Sequence, residues 1–143
     1  MARTIYNLVV HCSATPEGKE FTASDIDRWH KAQGWSGIGY HYVIRRDGTV
    51  EKGRSESAIG AHVAGYNTGS IGIVYIGGLT PDGSKAKDTR TFAQKAALFK
   101  LLSELRKKYP KARILGHRDF PNVKKDCPSF DVRKWCIEVN LKP

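Results

Sequence analysis

The pattern of hydrophobic and polar positions predicts strands that alternate with helices. Continuous apolar runs at residues 5–10 and 71–76, and a shorter one at 113–115, are typical of buried strands. Residues 40–46 alternate between apolar and polar side chains, and a turn containing Asp and Gly leads to a short returning strand at 50–52. These segments predict a sheet whose inner strands are buried.

Capping residues and helical spacing indicate one helix near the start of the chain and one near its end. Thr22 is a suitable cap for a helix that runs to about Gln33, where Gly34 ends it. Residues 128–129 open a last helix. Its inward side chains are predicted to be Val132, Trp135 and Val139.

A longer helix is predicted between these two. Thr91 and Gln94 have the spacing of a capping box, and Pro110 ends the helix. Its inward stripe is predicted to comprise Phe92, Ala96, Phe99, Leu102, Leu105 and Tyr109. The whole pattern predicts an α/β fold: a single domain over residues 1–143, with a mixed central sheet flanked by about three helices.

Charge is distributed unevenly along the chain. The 143 residues carry a net charge of +10, from 24 Lys and Arg against 14 Asp and Glu. Residues 1–84 hold eight basic and eight acidic side chains, whereas residues 85–143 hold sixteen basic and six acidic ones and therefore carry the whole excess. A one-sided basic surface indicates an anionic partner, and a solvated, solubilising face is the alternative explanation.

Location and redox state can also be predicted. No run of about 18 apolar residues occurs, so no membrane span is expected. Residues 1–6 lack the apolar core of a secretory signal, so we expect synthesis in the cytoplasm. Cys12, Cys127 and Cys136 make an odd count, which argues against a disulfide framework and suits a reducing compartment.

Candidate chemistry lies where predicted strands end. His11 ends the first strand, His117 follows the strand at 113–115, and Cys127 lies in a loop ten residues further on. Two imidazoles and a thiolate with a fourth position open are typical of catalytic zinc. The alternatives are ordinary polar histidines at strand ends and a cysteine that only fills space. Neighbouring strand residues face opposite sides, so Cys12 and His11 cannot both point at one site.

Nine short segments in chain order, spread over residues 10–131, carry a more specific signal. They are VHCSAT (10–15), GW (34–35), GYHY (39–42), RDGTV (46–50), GAH (60–62), GYN (65–67), SIG (70–72), GHRD (116–119) and CPSFD (127–131). Together they resemble the zinc-dependent N-acetylmuramoyl-L-alanine amidases of the phage-lysozyme and peptidoglycan-recognition type.

The resemblance implies a role for each matching residue. His11, His117 and Cys127 match the family's zinc ligands, and Tyr40 and Lys125 match its catalytic tyrosine and lysine. The assignment of Lys125 rather than its neighbour Lys124 rests on counting back two residues from the cysteine. The substrate-binding positions implied by the match are His62, Tyr66 and Asn67. From the residues alone, Tyr40 could equally be a packed strand aromatic and Lys125 a surface charge.

The function implied is hydrolysis of the amide between N-acetylmuramic acid and L-alanine in peptidoglycan. The match looks most like a phage or prophage endolysin, with one Zn²⁺ per chain, a monomeric state and action on the cell wall after release. A non-catalytic peptidoglycan-binding protein is the alternative, although such members typically lack the zinc cysteine that this chain has. Nucleic acid is not expected as a partner, because no helix combines a basic stripe with stacking aromatics.

Overall fold

The computed structural model describes residues 3–143, which form seven strands and three helices. The strands are β1 (Asn7–Cys12), β2 (Thr15–Pro16), β3 (Tyr42–Ile44), β4 (Val50–Lys52), β5 (Ser70–Tyr75), β6 (Gly78–Leu79) and β7 (Arg113–Gly116). The helices are α1 (Ala23–Ala32), α2 (Phe92–Lys108) and α3 (Val132–Glu138).

A five-stranded mixed sheet with the order β4-β3-β5-β1-β7 forms the centre of the fold. Only β3 and β4 pair in the antiparallel sense, as the hairpin pattern predicted. The central strand β1 pairs in parallel with β5 on one side and β7 on the other, and all six of its residues are buried. Burial on both faces explains why this strand is a continuous apolar run. The predicted fold class is therefore confirmed.

The register of the parallel strands brings distant residues to one edge of the sheet. Val10 of β1 lies opposite Gly116 of β7, so His11 and His117 come next at the same carboxyl end. The side chains of β1 alternate, and Leu8 and Val10 pack in the core cluster that contains the leucines of α2. Val9 packs in a different cluster, with Leu115. By the same alternation, His11 is expected on the face of Val9, away from α2.

The helix caps agree with the sequence, whereas the inward face of α2 agrees only in part. Thr22 and Thr91 both make capping boxes, with Asp25 and Gln94 as their partners. The predicted inward position of Phe92 is wrong, because this side chain is 89% exposed. Ala96 is exposed as well. Leu102 and Leu105 of the predicted stripe are buried, and Gln94, Leu98 and Leu101 complete the buried face.

Several boundaries also differ from the sequence prediction. β1 extends two residues beyond Val10, and β3 is limited to three residues. α3 begins at Val132 and is capped by the side chain of Asp131, so residues 128–129 precede the helix. A second, two-stranded sheet of β2 and β6 was not predicted. Within residues 3–143, no helix is both long enough and apolar enough to cross a bilayer.

Candidate active site

Three potential metal ligands meet at the carboxyl end of β1 and β7. One ligand atom from each of His11, His117 and Cys127 lies within 4.8 Å of the other two. The rings of His11 and His117 are 4.7 Å apart between centroids, and Cys127 Sγ lies 3.9 Å from His11 Nδ1. His11 lies near the end of β1, His117 directly follows the parallel strand β7, and Cys127 is brought in by the loop before α3.

Hydrogen bonds fix His11 and Cys127 and connect the backbone beside His117 to the cysteine loop. His11 Nε2 lies 2.9 Å from His62 Nδ1, which leaves His11 Nδ1 facing Cys127. The backbone N–H of Cys12 donates to Cys127 Sγ at 3.2 Å. The Arg118 N–H donates to the Cys127 carbonyl at 2.9 Å, which ties the short 3-10 turn His117–Asp119 to the cysteine loop. Backbone groups therefore hold Cys127 and its loop, whereas the ring of His11 is held by the ring of His62.

Burial keeps the histidines of the cluster neutral. The pKa of His11 lies well below its usual value because the ring is desolvated and His62 and His117 are close. Desolvation also lowers the pKa of His62 to about 3. The pKa of His117 is lowered by burial and then by the positive charge of Lys125. A metal binds the neutral form of imidazole, so this electrostatic environment favours a metal.

The two thiols at the site influence each other. An interaction between Cys12 and Cys127 lowers the pKa of Cys12 to about 7 and raises the pKa of Cys127. The cation of Lys125 and the Cys12 N–H both act in the opposite direction on Cys127, because each stabilises its thiolate. Cys136 is fully buried in the core cluster and does not take part in this interaction.

The donor set fits zinc. Two imidazole nitrogens and one thiolate sulfur are ligands that zinc accepts, and three protein ligands leave a fourth tetrahedral position free for water or substrate. His11 has one ring nitrogen engaged by His62 and the other directed at Cys127, which is the arrangement that a metal-binding histidine requires.

Tyr40 lies beside the cluster. Its ring centroid is 5.0 Å from that of His11. Burial raises the pKa of Tyr40, so its hydroxyl keeps its proton and can act as a hydrogen-bond donor. The neighbouring His41 is buried and accepts the Gly72 N–H at 3.0 Å through Nδ1.

A groove of about 310 Å³ borders the cluster. It is lined by Trp35, Ala61, His62, Val63, Ala64, Asn67, His117 and Lys125. Lys125 also lines a second groove of about 380 Å³, which includes Cys127 and Lys85. A larger cavity of about 490 Å³ lies around Glu56, and no member of the ligand cluster lines it. Lys125 is thus exposed between the two grooves that adjoin the cluster, and Lys124 lines neither of them.

The remaining two predicted substrate residues have structural contacts. Asn67 Oδ1 accepts the backbone N–H groups of His62 and Val63, each at 2.8 Å, while the residue also lines the groove. Tyr66 is 39% exposed, and its ring packs on Phe120 at 4.7 Å between centroids. Sequence reasoning missed the bond between His62 and His11, and it missed Trp35 as part of the groove wall.

Comparison with known proteins identifies the family of this chain. The family model described as N-acetylmuramoyl-L-alanine amidase matches residues 1–130. This chain belongs to that amidase family. A similar relative is the endolysin of Enterobacteria phage K11, which is 48% identical over 126 residues, covering 88% of this chain and 82% of the relative. The endolysin of Escherichia phage T7 is 44% identical over 128 residues, covering 90% and 83%.

Solved structures support the same assignment for the amidase. The N-acetylmuramoyl-L-alanine amidase LysC from Clostridium intestinale URNW superposes with a TM-score of 0.81 at 31% identity, covering 98% of this chain and 88% of that one. The Drosophila protein PGRP-LB gives a TM-score of 0.73 at 28% identity, covering 90% and 76%. The sequence-based resemblance and the predicted fold are both confirmed.

Proposed function

We propose that this amidase is an endolysin that hydrolyses the bond between N-acetylmuramic acid and L-alanine of peptidoglycan, using zinc held by His11, His117 and Cys127. The observation that carries the proposal is the convergence of the three ligand atoms within 4.8 Å beside an open groove. Zinc bound there would activate water and polarise the amide carbonyl.

Tyr40 and Lys125 are the proposed catalytic residues. The Tyr40 hydroxyl retains its proton and donates a hydrogen bond to the amide oxygen as negative charge develops on it. The Lys125 ammonium group stabilises the same charge from the loop side of the site, where its field already reaches His117 and Cys127. Tyr40 precedes β3 and Lys125 lies in the loop before α3. We propose that the reacting amide binds between these two side chains.

The two grooves beside the cluster are the proposed binding path for the muropeptide. The first offers the indole of Trp35, the ring of His62 and the amide of Asn67. We assign Tyr66, which is exposed at the surface and packs on Phe120, to the periphery of this path. The second groove carries Lys85 and Lys125, whose charges complement the carboxylates of a stem peptide. We further propose that the enzyme works as a monomer on the cell wall after release.

A non-catalytic peptidoglycan-binding protein is the alternative function. Such a protein needs the groove but not the complete ligand set. All three ligands are present, which favours catalysis. The ring centroids of Tyr40 and His11 are 5.0 Å apart, and Lys125 lines the groove, which favours it further. The alternative predicts binding of peptidoglycan with neither stoichiometric zinc nor turnover.

Zinc content tests the proposal. The purified protein, after dialysis, should contain one zinc per chain, and Cys127→Ala should lose both zinc and turnover. Cys136→Ala is the matched control, because this cysteine is buried in the core away from the cluster and its substitution should leave both intact. Full activity of wild-type protein that holds far less than one equivalent of zinc would contradict the proposed site.

A further inference from the structure

We infer that His62 is a positioning residue for His11, in addition to lining the groove. Its Nδ1 atom lies 2.9 Å from His11 Nε2, and the two rings meet edge to face with centroids 4.9 Å apart. The inference rests on the proposed zinc site and specifies how the chain itself prepares that site. His62 lies 51 residues from His11 in sequence, so only the fold brings them together.

The direction of the hydrogen bond follows from the ligand geometry. A nitrogen that binds zinc carries no proton, and His11 directs Nδ1 toward Cys127. A neutral imidazole has one ring proton, which must then lie on Nε2 and be donated to His62 Nδ1. His62 therefore selects the tautomer of His11 that can bind the metal, and fixes the rotation of its ring.

The protein holds His62 in this position through several independent contacts. Asn67 Oδ1 accepts the backbone N–H of His62 and fixes the loop that carries it. A Cβ atom at Gly72 would lie 2.7 Å from the His62 ring, and one at Gly60 would lie 2.8 Å from it. The ring of His41 packs edge to face against the other side, 5.8 Å away. The two glycines thus leave room for the His62 ring in the one orientation that contacts His11.

Positioning and substrate contact predict different results in the absence of substrate. A residue that only touches the muropeptide does not change zinc affinity, whereas loss of a partner that orients a metal ligand typically costs about 10–100-fold in affinity. Zinc affinity of the substrate-free protein therefore separates the two roles.

The experiment is a competition titration of metal-free protein with zinc and a chromophoric chelator. His62→Leu should bind zinc about 10–100-fold more weakly than wild type. His62→Asn should recover most of that loss, because its Oδ1 can occupy the position of Nδ1 and accept the same hydrogen bond. Trp35→Leu is the control, since Trp35 lines the groove without contacting a ligand, and its zinc affinity should equal that of wild type.

Equal zinc affinity for wild type and His62→Leu would overturn the inference. Failure of the wild-type protein itself to bind zinc would instead refute the proposed zinc site, so the two failures are distinguishable. A measurement without any variant supports the titration: long-range proton–nitrogen NMR of metal-free wild type should find the Nε2–H tautomer of His11. The Nδ1–H tautomer would also overturn the inference.

Discussion

The two sides of the active site differ in how they are built. On the strand side, His11 is the penultimate residue of β1, a fully buried strand that is paired on both edges, and it is 1% exposed. On the loop side, Cys127 and Lys125 lie on a connection without regular secondary structure, and Lys125 is exposed. The strand side consists of neutral rings packed on one another, whereas the loop side carries the positive charge.

This difference indicates a division of work. Backbone pairing and ring packing give the strand side a geometry that does not depend on substrate. The loop side combines the proposed metal ligand Cys127 with an exposed cationic side chain, Lys125, which lines two grooves. We therefore expect substitutions that disturb the packed histidines of the strand side to affect metal binding and folding, and removal of the proposed catalytic groups Tyr40 and Lys125 to affect mainly turnover.

The largest expected effect is on turnover without loss of metal. Lys125→Ala and Tyr40→Phe should each lower kcat by about 10²–10³-fold, because each removes a group that stabilises developing negative charge. Both variants should keep one zinc per chain, which metal analysis checks. Lys124→Ala is the matched control for the loop charge and should retain full activity. Reversal of the two lysine results would show that Lys124 is the catalytic residue.

A smaller effect is expected from crowding the strand side. Gly72→Ala should lower the free energy of unfolding by about 1–3 kcal/mol, because the new Cβ would lie 2.7 Å from the His62 ring within a packed core. Urea unfolding measures this change. The exposed loop residue Asp126 provides the comparison, and Asp126→Ala should change stability by no more than about 0.5 kcal/mol. Equal changes in the free energy of unfolding for Gly72→Ala and Asp126→Ala would contradict the proposed difference between the strand side and the loop side.

A still smaller effect is expected from acid, which should lower the stability of the folded chain through the buried histidines of the strand side. Burial lowers the pKa of His41 in the folded chain, as it does for His11 and His62. The unfolded chain therefore binds more protons once the pH falls below about 6.5, and stability decreases as the pH falls further toward the folded pKa values. Urea midpoints of metal-free protein should be lower at pH 5 than at pH 7. Identical midpoints would show that these rings do not remain neutral.

The smallest effect concerns the basic surface. Binding to whole cell-wall sacculi should weaken between 0.1 M and 1 M salt, where the screening length falls from about 10 Å to about 3 Å. Cleavage of a small neutral muropeptide should respond much less, because it depends on contacts inside the site. Equal salt responses for both substrates would assign the net charge of +10 to a solubilising role only.

Sequence patterns predicted most strands and the caps, but only part of the buried face of α2. α2 has apolar residues on more than one face, so its periodicity allowed the stripe that begins at Phe92. Packing on the sheet favoured the leucines, and Gln94 turns inward because its Nε2 donates to the carbonyls of Ile44 and Ile76 at 3.3 and 3.0 Å. The two-residue strands β2 and β6 are too short to show any period.

The candidate site shows the same limit. Motifs pointed to His11, His117 and Cys127 because each follows a recognisable strand or lies in a distinctive short segment. The contact between His62 and His11 has no sequence signal, because the two residues are 51 positions apart. It also depends on the local loop that Asn67 fixes by accepting the His62 N–H. Contacts set by tertiary packing require the structure.

Analysis of the products from digested peptidoglycan tests the central claim most directly. The account predicts new amino termini on L-alanine and glycan strands that stay long, because the clustered ligands and Tyr40 are arranged for attack on an amide. Mass spectrometry of the released peptides and an assay of reducing ends measure both quantities on one sample. New reducing sugar ends without new amino termini would contradict the account, even if the protein contained zinc and lysed the wall.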